Sequence, residues 1–303
     1  MRNIACQEWL RCSHLSDFVF LTGDLGFMAL ESLRDSMKER FVNAGVAEQN
    51  MLSVAAGLAL EGLNVWAYSI APFCYARPYE QIRNDICHHN LPVKLVGNGG
   101  GYSYGPMGKS HHAIEDYGTL LNLPNMRAYV PAFGEDLKTI IPMLNSIDHP
   151  AYLRLGRCEQ PQEMDTSEYA PWRKILEGEG IPIVVVGPLA GSYWNVMQRL
   201  DRSIRPELWV LSEIFDMSFD FIPGELVNQI ERRGLCVAEE HMTHGSAGQI
   251  LAGVLLSKGL KPRRYIQFTA SGYPSNLYGS QSFHRRESGL ESDQILRQLN
   301  IVH

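Results

Sequence analysis

The chain alternates short apolar, β-branched runs with segments in which apolar residues recur at helical spacing. The clearest helix is predicted over 48–61, where Met51, Ala55 and Leu58 share one face and Gly62 ends the pattern. Alternation of strands and helices predicts an α/β domain with a mainly parallel sheet. In the first half, strands are predicted at 18–21, 65–70, 93–96, 127–130 and 151–155, and further helices at 77–88 and 114–122.

A polar stretch over 157–174, which contains Pro161 and Pro171, precedes a second run of alternating elements. We interpret this stretch as the linker between two domains, 1–160 and 175–303. The predicted fold class is α/β, with two α/β domains whose sheets are mainly parallel, and ligands of such sheets bind at the carboxyl ends of the strands. In the second half, strands are predicted at 183–186, 208–211, 235–238 and 265–268, and helices at 193–200, 224–232, 247–256 and 292–299.

Composition and charge narrow the functional classes. The formal net charge is −6, without the basic excess that a nucleic acid or an anionic membrane surface attracts, so we expect neither as a partner. No apolar run is long enough to span a membrane, and the first residues lack the apolar core of a signal peptide, which predicts a cytoplasmic protein. The six cysteines form no Cys-x-x-Cys pair, so neither disulfides nor a structural zinc site are expected.

Two acidic residues are candidates for a functional site. Asp24 follows the first predicted strand, and Glu48 opens the first long helix. Glu48 begins the helix over 48–61, which by itself is a common place for an acidic side chain, because helix amino ends carry partial positive charge. Asp24 lies in a Gly-Asp-Leu-Gly turn. A hard cation needs several converging oxygen ligands, and no such cluster accompanies Asp24, so no metal ligand is expected in this chain.

The glycine-rich segment 99–112 is the most unusual part of the sequence. Its five glycines permit close approach of the backbone, and it presents Lys109, His111 and His112 just before a predicted helix. Adjacent histidines are most often surface residues. For His111 a functional role gains weight from the resemblance described next.

Three separated segments together resemble one family. Residues 41–50 resemble the glutamate motif of transketolases and deoxyxylulose-phosphate synthases, and residues 80–85 and 123–126 resemble later motifs of the same family. The resemblance covers about 16–160 and continues more weakly to the end. It implies that 1–160 is a pyrimidine-binding domain and 175–303 a transketolase C-terminal-like domain.

The resemblance implies a thiamine diphosphate cofactor. Glu48 matches the glutamate that shares a proton with the aminopyrimidine ring, which leads to deprotonation of the thiazolium carbon, and it is the expected catalytic carboxyl. Phe73 stands where an aromatic ring stacks on the aminopyrimidine. Asp24 and Leu25 are expected to flank the cofactor, and Mg²⁺ is expected to be held mainly by a partner subunit.

The same resemblance suggests a substrate site. His111 matches a histidine that contacts substrate, where it could stabilise a developing alkoxide or move a proton. We also expect Arg77, Lys109 and His112 to contact substrate. Met107 stands where relatives commonly carry an acidic residue for the donor's hydroxyl, which argues against an ordinary sugar-phosphate donor.

These expectations combine into one functional hypothesis. The resemblance covers only the C-terminal half of a full-length transketolase, so we expect a split enzyme in which this chain pairs with a separate N-terminal, diphosphate-binding subunit. The expected assembly is a heterotetramer built on a homodimer of this chain. The expected reaction is two-carbon ketol transfer from a ketose donor to an aldehyde acceptor, with sugars or sugar phosphates as substrates.

Two alternatives stay open at this stage. The beta subunit of a 2-oxoacid dehydrogenase shares the two-domain plan and often lacks an acidic residue at the place of Met107. The chain could also be a non-catalytic paralogue kept as an interaction subunit, although the joint presence of Glu48, Phe73 and His111 weighs against this. Product analysis distinguishes the three, because they predict a lengthened sugar, release of CO₂, or no product.

Overall fold

Two mainly parallel sheets organise the chain, which confirms the predicted fold class. A computed structural model describes residues 1–164, 168–215 and 218–302. The first sheet has the strand order β10-β5-β6-β4-β3-β1-β2, and the second has the order β12-β11-β8-β9-β7. The strands are β1 Phe18–Thr22, β2 Phe41–Asn43, β3 Asn64–Ile70, β4 Lys94–Asn98, β5 Arg127–Tyr129, β6 Ala151–Leu155, β7 Trp172–Leu176, β8 Ile183–Val186, β9 Leu208–Leu211, β10 Glu213–Ile214, β11 Leu235–Ala238 and β12 Tyr265–Phe268.

Helices cover both faces of the first sheet. Alternate residues of β3 point to opposite sides, as the period of a strand requires. Val65 and Ala67 pack on the side of α3, while Trp66 and Tyr68 pack with Trp9 of α1. The helices are α1 Arg2–Cys12, α2 Glu31–Met37, α3 Glu48–Leu60, α4 Ala71–Tyr75, α5 Tyr79–Gln81, α6 Asp116–Leu120, α7 Leu137–Leu144, α8 Ala190–Met197, α9 Gly224–Arg233, α10 Ala247–Ser257, α11 Gln281–Glu287 and α12 Ser292–Gln298.

The helix expected over 77–88 is not one regular α-helix. Pro78 precedes the short α5, and Ile82–Cys87 continues as a π-helix. Proline lacks the N–H that an interior helical position needs, so the regular turn begins only after it. The sequence also did not predict α1, α2, α4, α7, α11, β2, β7 and β10.

The structure does not separate the two halves of the chain cleanly at the expected linker. The stretch interpreted as linker, 157–174, already contains the start of β7, and its residues 165–167 lie outside the described part of the chain. β10 joins the first sheet, antiparallel to β5. β7 in turn pairs antiparallel with β9 at the edge of the second sheet. The domain bounds 1–160 and 175–303 therefore stay a prediction.

Within the described ranges, every helix is too short or too polar to cross a membrane.

Candidate active site

Glu48 lies at the carboxyl ends of β1 and β3. It is the first residue of α3, and its side chain is only 3% exposed. Gly45, with a φ of 72°, makes the turn from β2 into this helix, a conformation that glycine adopts without strain. Ser69 of β3 donates a hydrogen bond from its Oγ to Glu48 Oε1 at 3.5 Å, and Gly23 leaves room beside the same oxygen. The fold thus buries a carboxyl group at the edge where ligands of parallel sheets bind.

Arg77 and Phe73 complete the surroundings of this carboxyl group. Arg77 Nη1 donates to both oxygens of Glu48, at 3.0 and 2.9 Å. The guanidinium carbon of Arg77 lies 3.8 Å from the centre of the Phe73 ring. Phe73 is half-buried, whereas the Arg77 side chain is 44% exposed. A carboxylate, a planar cation and an aromatic ring are therefore in direct contact.

His111 also contacts Phe73. The two ring centres are 5.3 Å apart in an edge-to-face arrangement. His111 also contacts the ring of Tyr104 at 5.5 Å, and Asn98 at the end of β4 donates to the Tyr104 hydroxyl at 2.9 Å. The structure thus brings Glu48, Phe73, Arg77 and His111 into one group. Their roles stay predictions.

His112 points away from this group, into the second half of the chain. It is 2% exposed, and its Nε2 lies 2.8 Å from the carbonyl oxygen of Gly105. A carbonyl only accepts, so Nε2 carries the proton and Nδ1 accepts from the Tyr273 hydroxyl at 2.9 Å. Burial lowers the pKa of His112 to about 4. Because both ring nitrogens are engaged inside the protein, the structure does not support the substrate contact that the sequence suggested for His112.

The remaining expected site residues are more exposed. Met107 is 55% exposed, and Lys109 is exposed on the same glycine-rich segment. Asp24 is exposed with a φ of 56°, and it exchanges two hydrogen bonds with the side chain of Asn43. Leu25, which follows it, is half-buried. These residues lie at the carboxyl edge of the first sheet or on the segment beside it, and nothing in their geometry assigns them a ligand.

Sequence reasoning missed a cavity of about 550 Å³ on the same edge of the sheet. Arg2 and Arg157 line it together with Asn98, Ser103 and Tyr104. Burial raises the pKa of Tyr104, and the positive charges of both arginines oppose this rise. Two guanidinium groups in one cavity suit an anionic ligand. The position of Arg157, just beyond the end of β6, was a usable signal in the sequence. Arg2 gave none, because α1 was not predicted.

A buried network of charged side chains packs against the glycine-rich segment. Arg154 of β6 donates to Asp116 at 2.8 Å, to the carbonyl oxygen of Ala113 at 2.6 Å and to that of Glu240 at 2.9 Å. Tyr152 donates to the same carboxylate at 2.8 Å. Glu240 belongs to the second half of the chain, so this network joins the two sheets.

The turn that contains Glu239 lies at this junction too. Glu239 accepts from the hydroxyl of Tyr117 at 2.5 Å and from the backbone N–H groups of Ala247 and Gly248 at 2.8 Å each. His241 stacks on the ring of Tyr117 at 4.0 Å. The side chains of this turn thus pack against the first half of the chain.

One group of three carboxylates in the described ranges is close enough to share a metal ion. It comprises Glu177, Glu207 and Glu225, away from the candidate site. The ammonium group of Lys174 already pairs with all three, at 2.7 Å from Glu177 and 3.6 Å from Glu207. The arrangement is thus a lysine-centred cluster of ion pairs.

The fold and the site together define an α/β protein of two mainly parallel sheets with a buried carboxyl group at the carboxyl edge of its larger sheet. A model of the family described as "Transketolase, pyrimidine binding domain" matches residues 10–162. The chain belongs to the transketolase family, a family of thiamine-dependent, transferase-type proteins. This confirms the resemblance carried by residues 41–50, 80–85 and 123–126.

The similar proteins include separate subunits as well as solved structures. The chain is 30% identical over 273 residues to an apulose-4-phosphate transketolase subunit of Actinobacillus succinogenes, covering 85% of this chain and 83% of that protein. It is also 30% identical over 254 residues to the putative transketolase C-terminal section of Methanocaldococcus jannaschii, covering 82% and 78%. Among solved structures, a split-gene transketolase described as an inactive beta4 tetramer matches with a TM-score of 0.81 and 27% identity, covering 99% of this chain and 96% of the other.

Proposed function

We propose that this chain is the C-terminal subunit of a split transketolase that transfers a two-carbon ketol unit from a ketose donor to an aldehyde acceptor. The observation that carries the proposal lies at the carboxyl edge of the first sheet, where Arg77 contacts both Glu48 and Phe73, and Phe73 contacts His111. The likeness to a separate transketolase subunit and to a split-gene transketolase supports the division into two subunits.

The residues present suit the aminopyrimidine part of thiamine diphosphate. Phe73 and Glu48 already hold one flat, nitrogen-bearing group between them, the guanidinium of Arg77. An aromatic face next to a buried acceptor is what a flat ring with N–H groups requires. When bound, thiamine diphosphate supplies the carbanion chemistry of the reaction.

The chain's own residues would then divide the work. Glu48 would hold a proton at a ring nitrogen of the cofactor, and Phe73 would orient the ring and exclude water from that face. His111 would donate a proton or a hydrogen bond to the oxygen atom of the substrate that develops negative charge. Arg77, Lys109 and Met107 would face the substrate.

Mg²⁺ needs several converging oxygen ligands. The described residues contain one close group of three carboxylates, and it lies elsewhere around Lys174. We therefore propose that a separate diphosphate-binding subunit holds Mg²⁺, in a heterotetramer built on a homodimer of this chain. Asp24 and Leu25 would flank the cofactor at the junction between subunits.

The arginine-lined cavity favours phosphorylated substrates over neutral sugars. Arg157 and Arg2 offer planar donors that match the oxygens of a phosphate group. Through Tyr104 the cavity adjoins His111, so the phosphate would lie at the end of the substrate away from the reacting carbon.

Product analysis with the assembled complex tests the proposal. The chain is combined with its diphosphate-binding partner subunit, thiamine diphosphate and Mg²⁺, and ketose donors are offered with phosphorylated and unphosphorylated aldehydes. A sugar lengthened by two carbons, formed faster from the phosphorylated aldehyde, is expected. Release of CO₂ from a 2-oxoacid, or no product from a complex that binds the cofactor, would contradict the proposal.

Calorimetry gives a second, independent test. The chain alone is expected to bind thiamine diphosphate weakly or not at all, because we propose that a partner subunit holds Mg²⁺ and the diphosphate. Tight, Mg²⁺-dependent binding to this chain without a partner would contradict the division of the site between two subunits.

A further inference from the structure

Arg77 makes the two contacts that the proposed function assigns to the cofactor's aminopyrimidine ring. Its guanidinium stacks 3.8 Å from the centre of Phe73, and its Nη1 donates to both oxygens of Glu48. A guanidinium is flat and carries N–H donors in its plane, as an aminopyrimidine does. The two groups cannot occupy this place at once.

The local fold makes this contact a built arrangement. Phe73 lies in α4 and Arg77 lies two residues beyond the end of that helix, in the turn where the guanidinium reaches back over the Phe73 ring. Glu48 is 3% exposed, so its carboxyl group has little contact with water and needs a donor when no ligand is bound. Ser69 contributes only a long hydrogen bond of 3.5 Å. Arg77 is therefore the main partner of this carboxyl group.

Arg77 is also able to leave. Its side chain is 44% exposed, and the structure gives its guanidinium no hydrogen-bond acceptor other than Glu48 among the described residues. Departure would leave the buried Glu48 carboxyl group without its main donor and would break one cation–π contact, so Arg77 leaves only when a ligand supplies both interactions. A ligand that satisfies Glu48 and stacks on Phe73 replaces both contacts.

We propose that Arg77 occupies the place of the aminopyrimidine ring until the cofactor binds. Cofactor binding then displaces Arg77, whose side chain turns to face the substrate. The inference rests on the proposed function, because it assumes that the aminopyrimidine ring binds between Glu48 and Phe73. Arg77 thus has two alternating positions, one against Glu48 and Phe73 and one facing the substrate, and in both it acts as a positioning residue. Binding of the cofactor and formation of the substrate site then become coupled steps.

The coupling has a measurable sign. A cofactor that must displace Arg77 binds with an affinity reduced by the fraction of molecules in which the arginine is away from its place. Removing the guanidinium removes that reduction, so cofactor affinity rises. The same change deletes a donor toward substrate, so substrate affinity falls. A residue with a merely structural role would not move the two affinities in opposite directions.

The test compares Arg77→Met, Arg77→Lys and the control Arg202→Met in the complex assembled with the diphosphate-binding subunit. Arg202 is an exposed arginine of the second half, paired with Glu179 at 3.8 Å. Calorimetry measures the Kd of thiamine diphosphate in the presence of Mg²⁺, and steady-state kinetics measure the KM of the ketose donor and kcat. Circular dichroism melting confirms that each variant is folded.

For Arg77→Met we expect the Kd of thiamine diphosphate to fall roughly five- to thirtyfold while the KM of the donor rises. Arg77→Lys keeps the charge without the flat surface, so its Kd should fall less. Arg202→Met should change neither constant. An unchanged or weaker affinity of both Arg77 variants, in a complex whose parent binds the cofactor, would overturn this proposal alone. A parent complex that binds no thiamine diphosphate would overturn the proposed function as well.

Discussion

Acidification should destabilise this protein through one buried histidine. The neutral form of His112 fits its place, because Nε2–H donates to Gly105 and Nδ1 accepts from Tyr273. A second proton on Nδ1 would remove that acceptor and bury a positive charge. The ring of His284 lies 4.8 Å away, and its pKa is also lowered by burial, so a charge on either histidine opposes a charge on the other.

The size and sign of the effect follow from the pKa of His112, which burial lowers from 6.5 to about 4. The unfolded chain takes up the proton below pH 6.5, whereas the folded chain resists it until about pH 4. The stabilisation that neutral His112 contributes is therefore fully present above about pH 6.5 and is lost as the pH falls toward 4. Linkage gives a loss of about 2 kcal/mol between pH 7 and pH 5 from this residue, and about 3 kcal/mol in total.

The assay compares the parent protein with His112→Gln by urea denaturation at pH 7, 6 and 5. Glutamine can still donate to Gly105 but does not titrate in this range. Other groups, His284 among them, are present in both proteins, so the difference between the two curves isolates His112. The parent should lose about 2 kcal/mol more than the variant between pH 7 and pH 5. Parallel curves would refute the assignment of His112 as a buried, neutral residue.

Three further substitutions test the packing and the substrate site. Arg154→Met leaves the Asp116 carboxylate buried with one donor, and it should cost about 3–5 kcal/mol in urea denaturation; a loss below 1 kcal/mol would contradict the network. Gly97→Ala adds a Cβ that overlaps the Tyr152 hydroxyl, and it should lower the free energy of unfolding by about 1–3 kcal/mol; full stability would show that the ring moves freely. Met107→Asp should shift donor preference toward common ketose phosphates by roughly tenfold or more in relative kcat/KM, because a hydrogen bond to a charged group is worth about 1.5–3 kcal/mol; an unchanged donor ranking would show that Met107 does not face the donor.

The sequence predicted four strands of the second half, and three of them, β8, β9 and β11, are buried along their whole length. The four strands predicted for the second half, 183–186, 208–211, 235–238 and 265–268, have the bounds observed for β8, β9, β11 and β12. Strands inside parallel sheets read as short continuous apolar runs, which is a strong local signal. Short edge elements such as β2 and β10 carry too few residues for such a signal. Their pairing depends on distant partners.

The candidate site was predictable only in part for a similar reason. Glu48 stood out through a motif around one helix start. His111 and His112 are neighbours in sequence, and local pattern could not tell which one faces the site. That choice depends on Tyr273 and His284, more than 150 residues away along the chain. The pairing of Arg77 with Glu48 likewise spans 29 residues and required the fold.

We propose that the Glu48 carboxyl group activates the cofactor by holding a proton at its aminopyrimidine ring. Glu48→Gln keeps the shape of the side chain and a hydrogen-bonding group but cannot exchange that proton. Turnover of the assembled complex should fall by about 10²- to 10⁴-fold, while cofactor binding weakens less. Glu61→Gln is a matched control, because Glu61 is exposed at the far end of α3.

The most direct measurement is exchange of the thiazolium C–H of thiamine diphosphate in deuterated water. It is followed in the complex of this chain with its diphosphate-binding partner. Exchange should be slowed strongly by Glu48→Gln and left unchanged by Glu61→Gln. Exchange in the Glu48→Gln complex as fast as in the parent complex would show that Glu48 is not the activating carboxyl group.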